Sequence, residues 1–140
     1  MSWAALITWI VTAGFGFVML VIWLSHGGMQ PADPAVRRIR PPLILGHFLL
    51  AATGLVVWII YIAADKDALA WVAFAILVVV ALLGWTMFGI WWRSKDARAT
   101  GLADTRPEAR FPKPVIALHG LFAVTTVLLV FLTAIGVGES

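Results

Sequence analysis

Four uninterrupted apolar stretches, at 3–24, 42–64, 69–92 and 114–136, decide what this chain can become. Each exceeds the roughly 20 residues a helix needs to cross about 30 Å of hydrocarbon. None carries an acidic or basic residue in its interior. Hydrocarbon offers backbone N–H and C=O groups no water, so a spanning segment must bond them within itself, as a helix does. The expected fold is therefore all-α: a four-transmembrane, up-down-up-down helical bundle, one membrane domain over residues 1–140, with the lipid bilayer as its first partner. Composition agrees. Of 140 residues, 62% are hydrophobic and 12% charged, more apolar area than a soluble domain this small can hide. The first stretch has no basic residue before it and is too long for the apolar region of a signal peptide, so it is read as a span. Cysteine is absent, which excludes thiolate metal sites, a disulfide framework and covalently attached c-type haem.

Charge gives an orientation. The first connection, 25–41, holds Arg37, Arg38 and Arg40. The third, 93–113, holds Arg93, Lys95, Arg98, Arg106, Arg110 and Lys113. Two crossings separate these loops, so they share a side. The other side has only Lys66, between Asp65 and Asp67, and the tail ending at Glu139 and Ser140. Basic loops mark the cytoplasmic side, so both termini are expected outside. The basic residues also suit contact with anionic lipid. No motif supports a nucleic-acid partner. Residues 100–112 read as a loop, with a short interfacial helical turn expected around 93–99. Trp3, Trp23, Trp71, Trp91 and Trp92 fall at the expected interfaces, where indole rings anchor helices. Trp9, Trp58 and Trp85 fall deeper and are expected to pack.

The helices repeat. On the second and fourth, Pro42 matches Pro114, Ile44 matches Ile116, His47 matches His119 and Thr53 matches Thr125. On the first and third, Trp3 matches Trp71, Gly16 matches Gly84, Met19 matches Met87 and Trp23 matches Trp91. The reading is a duplicated hairpin, 3–64 and 69–136, with a pseudo-two-fold axis along the membrane normal. In an up-down bundle the second and fourth helices then share a diagonal.

Within the apolar stretches only His47 and His119, and the phenol of Tyr61, are ionisable. Each histidine follows its helix-opening proline by five residues, a depth of about 7–8 Å at 1.5 Å per residue. Polar side chains at such depth are costly and face the bundle interior. Two imidazoles facing each other across a diagonal suit the axial positions of a bis-histidine haem b. Gly46 and Gly120 adjoin the histidines, Ala51 and Ala123 lie one turn deeper, and Gly16 and Gly84 fall at similar depth on the other helices. These small residues offer room for a porphyrin. Arg40 and Lys113, just before the helix starts, are placed to meet its propionates. Three readings stay open: one haem, another metal or ligand, or a structural contact between helices. Zinc fits less well, because two histidines underfill its usual four positions. His26, before Gly27 and Gly28, reads as part of a helix C-cap.

The motifs Gly46-His47-Phe48-Leu49 and Leu118-His119-Gly120-Leu121 make the chain resemble small transmembrane b-type cytochromes with bis-histidine haem. It is also similar to small four-helix membrane proteins of actinobacteria. The resemblance implies one haem b per chain, held by His47 and His119, in a bacterial cytoplasmic membrane. It implies electron relay or haem sensing beside a quinone-linked or other membrane redox partner, rather than an enzyme acting alone. The two-haem cytochromes of this architecture need four ligands, whereas this chain has two. Rival expectations are a cofactor-free structural or assembly subunit of a homo- or hetero-oligomer, and a small transporter. The transporter reading lacks a membrane-buried carboxylate or arginine to couple ions.

Overall fold

The computed structural model describes residues 1–33, 38–94 and 106–138. Helices α1 (Ser2–Ser25), α2 (Pro41–Ala64), α3 (Asp67–Arg93) and α4 (Lys113–Ala134) follow in order. All four are long and apolar enough to cross a membrane, the make-up of a multi-pass membrane protein. Only 11–22% of each span is buried against protein. The remaining apolar surface needs a hydrocarbon solvent, because water would penalise it at about 25 cal/mol per Å².

The helix ends follow local chemistry. Prolines occupy the first two positions of α2 and α4, where a missing N–H costs nothing. Gly27 and Gly136 turn left-handed, with φ of +81 for both, and the chain folds back. Gly28 N–H then donates to the Trp23 carbonyl at 2.9 Å, and Val137 N–H to that of Leu132 at 2.9 Å. These bonds satisfy carbonyls that the helices leave open. Asp65, also left-handed (φ 51), closes α2 and delivers the chain through Lys66 into α3.

The most extensive interfaces are α1 with α4 and α2 with α3; α3 with α4 and α1 with α2 are narrower. Helices α1 and α3 lie on one diagonal, α2 and α4 on the other. A two-fold operation exchanging the hairpins turns the α1–α4 interface into α3–α2, the pattern of strengths observed.

Two apolar clusters fill the bundle. Towards the end opposite the basic loops, Trp9, Trp58 and Tyr61 pack with Ala70, Ala73, Leu77 and Val130. Gly54 admits Trp9 there, since a Cβ would stand 3.0 Å from the indole. Trp58 donates its indole N–H to the Ser2 carbonyl at 3.2 Å. At the basic end, Trp23, Ile39, Ile44 and Trp91 form a plug, with Met87, Phe111 and Ile116 against it.

The sequence places Trp23 and Trp91 in an interfacial belt, yet both are buried, at 0% and 6% exposure. The connections cause this by folding over the helix ends. Gly28 lies on the Trp23 ring, where a Cβ would come within 2.2 Å of it. The expected loop at 100–112 contains a 3-10 turn at Pro107–Arg110. In that turn Glu108 is fully buried, and its Oε1 accepts from the Ile39 N–H at 2.8 Å. Arg106 donates to the Ser94 carbonyl at 3.0 Å, and Arg38 to that of Gly28. Most of the helical turn expected around 93–99 lies outside the described residues; α3 itself continues to Arg93. Trp85, expected to pack, is 64% exposed and faces outward.

Candidate functional site

His47 and His119 face each other between α2 and α4, just beneath the plug. Their ring centres are 6.3 Å apart and the rings are inclined at 59°. Each ring is anchored on a helix of the other hairpin. His47 donates from Nδ1 to the Val80 carbonyl of α3 at 3.0 Å. His119 donates from Nδ1 to the Thr12 carbonyl of α1 at 2.9 Å.

A helix carbonyl already bonded to the N–H four residues on can take a second donor only where the side chain beside it is small. Gly84 follows Val80 by four residues, and Gly16 follows Thr12 by four. A Cβ at Gly84 would stand 3.3 Å from His47 Cε1, and one at Gly16 would stand 3.1 Å from His119 Cε1. These glycines let each imidazole lie against the helix surface and reach its carbonyl. Sequence reasoning assigned Gly16 and Gly84 to the site as room for a porphyrin; in the structure they seat the rings. It missed the carbonyls of Thr12 and Val80. The signal for them was a glycine four residues on, at the depth of the histidine.

A carbonyl only accepts, so Nδ1 carries a proton in both rings, and in the neutral imidazole Nε2 then keeps its lone pair. Among the described residues no protein group hydrogen-bonds to either Nε2. A ring oriented through one nitrogen, with the other free, is how metal-ligating histidines are held. The spacing agrees as well. For two axial ligands in line across an iron, about 2 Å from metal to each nitrogen and about 1.1 Å more to each ring centre put the centres about 6 Å apart.

The remaining site residues divide. Gly46 is half-buried and Gly120 exposed, and a Cβ on either would meet nothing within 4 Å. They adjoin the histidines in sequence but not in the packing. Arg40 caps the start of α2 and Lys113 opens α4, both exposed, at the basic end near the pair. His26 is exposed at the end of α1 and donates from Nδ1 to the Ile22 carbonyl at 2.8 Å, as a capping residue does. Among the described residues no group of three or more His, Cys, Asp or Glu side chains gathers to hold an ion.

The two halves of the site are not identical. Thr12 Oγ1 and Thr126 Oγ1 approach to 3.3 Å beside the carbonyl that His119 uses, while each hydroxyl donates its proton within its own helix, to the Thr8 carbonyl at 2.8 Å and the Phe122 carbonyl at 2.7 Å. The equivalent positions on α3 and α2 are Val80 and Gly54, which bring no polar pair together.

Fold and site together define a four-helix, membrane-spanning bundle with an inward-facing histidine pair, one ring from each hairpin. No known protein family, curated protein or solved structure matches the chain.

Proposed function

We propose that the chain is a membrane-embedded haem b protein, with His47 and His119 as axial ligands of one haem. The observation carrying this reading is the 6.3 Å ring separation, combined with Nδ1 anchoring that leaves both Nε2 lone pairs free. Two neutral imidazoles underfill a bare ion, whereas a porphyrin supplies four equatorial nitrogens and needs two axial ones. Bis-imidazole haem is suited to one-electron transfer. Arg40, Lys113 and the starts of α2 and α4 would face the propionates with positive charge. The excess of Arg and Lys in the first and third connections supports a cytoplasmic basic end and outward termini. A haem at this depth exchanges electrons near one surface, which favours relay with a partner at that side, such as a quinone-linked enzyme, or haem sensing.

A second reading has its own support. Each ring already bonds to a neighbouring helix and ties the hairpins together, which a cofactor-free structural subunit would also use. Absorption spectra separate the two. Protein purified from haem-replete cells is expected to show a Soret band and a low-spin reduced spectrum. His47→Ala and His119→Ala should each abolish the low-spin signature, and His26→Ala should leave it. A wild-type protein without a Soret band would overturn the haem reading and leave the structural one.

A further inference from the structure

A groove between the start of α3 and the end of α4 opens at the end of the bundle opposite the basic loops. Asp67, Trp71, Thr133, Ile135 and Gly136 line it. The Asp67 carboxylate forms no ion pair or hydrogen bond with the other described residues. Thr133 is buried and donates its hydroxyl proton to the Leu129 carbonyl at 2.8 Å, which leaves its oxygen only to accept. The last turn of α4 has no basic side chain, so the negative end of its dipole meets no countercharge from its own helix. Trp71 is 46% exposed and adds an aromatic surface, whose face attracts cations.

Only the start of α3 brings the opposite sign, and the Asp67 carboxylate in its first turn offsets that dipole end. A carboxylate, a hydroxyl oxygen, helix-end carbonyls and an indole face all favour a cation, and the oxygens favour one that carries N–H donors. The cations already at this end do not line the groove. Lys66 is exposed at the cap of α3, and Met1 packs against Gly138 beyond it.

We propose that this groove binds a primary ammonium group, and that its occupant is the ethanolamine headgroup of a phospholipid in the leaflet at that end. The groove lies at the ends of membrane-spanning helices, the level of lipid headgroups, beside an interfacial tryptophan. An ethanolamine headgroup places its ammonium a few bonds from a phosphate, and Lys66 stands next to Asp67 to meet that phosphate. Its three N–H donors match the acceptor oxygens, which a trimethylammonium group would leave unpaired. The site is independent of the histidine pair and of any haem.

Native mass spectrometry on the delipidated full-length protein, offered equal phosphatidylethanolamine and phosphatidylglycerol, tests this. Preferential retention of phosphatidylethanolamine is expected. Asp67→Asn and Trp71→Leu should each cut that preference about fivefold, the scale of one charge or cation–π contact. Asp65→Asn, two residues away and outside the lining, should retain it. Equal retention of the two lipids overturns the proposal. So does an unchanged preference in Asp67→Asn, or an equal loss in Asp65→Asn. Displacement of the lipid by millimolar free ethanolamine would assign the groove to a soluble amine and overturn the lipid assignment.

Discussion

Four glycines near the histidine pair do two different jobs, and alanine separates them. At Gly16 and Gly84 an added Cβ would press on an imidazole at 3.1 and 3.3 Å. The ring or the helix beside it must then give by a few tenths of an ångström. Overpacking of this kind costs about 1–3 kcal/mol, partly offset by alanine's better helix propensity, about 1 kcal/mol. Gly16→Ala and Gly84→Ala should lower the thermal midpoint, measured by circular dichroism, and, on the proposed haem reading, reduce haem bound per chain. Gly46→Ala and Gly120→Ala meet open space, so they should hold or raise that midpoint and, on the same reading, leave haem binding unchanged. The histidines themselves were legible in the sequence, because an imidazole in an apolar helix stands out. Their acceptors were not. A backbone carbonyl has no residue identity, and only the glycine four positions on hints that one is reachable. Gly46 and Gly120 show the converse: adjacency in sequence does not make a helical residue share its neighbour's face.

The four helices match the apolar stretches to within two residues at each end, because length and hydropathy alone dictate a span. The connections were not legible in this way. Their order rests on buried single contacts such as Glu108 to Ile39, which leave no periodic trace. Those contacts place Trp23 and Trp91 in a plug rather than a belt. Glu108→Ala would strand the Ile39 N–H in an apolar cluster, a loss of about 1–3 kcal/mol. The expected outcome is faster hydrogen exchange at the Ile39 amide and a red shift in the emission of tryptophans that gain water. The helical signal in circular dichroism should persist. Glu108→Gln keeps an acceptor oxygen and should show a smaller change in both measurements.

For the whole molecule, the asymmetry of basic residues predicts the sidedness. A reporter fused after Ser140 should signal from outside, and one inserted at 100–107 from the cytoplasm; the reverse pair of signals would refute that orientation. The interface pattern makes a second prediction. The widest contacts run between the hairpins rather than within them, so cutting the chain between Asp65 and Asp67 should be tolerated. The two halves, co-expressed, are expected to copurify through an affinity tag on one of them and to give the spectrum of the intact protein. Either half alone should yield neither a stable bundle nor that spectrum. A temporal consequence follows from the crossed anchoring of the rings. His47 waits for α3, and α1 holds a carbonyl for a histidine that arrives only with α4. During synthesis the first hairpin enters the membrane with its imidazole unseated, and the pair comes into being only after the last helix has inserted. A ribosome stalled before α4 leaves no half-built pair, so on the proposed haem reading completion of the chain is a checkpoint on loading.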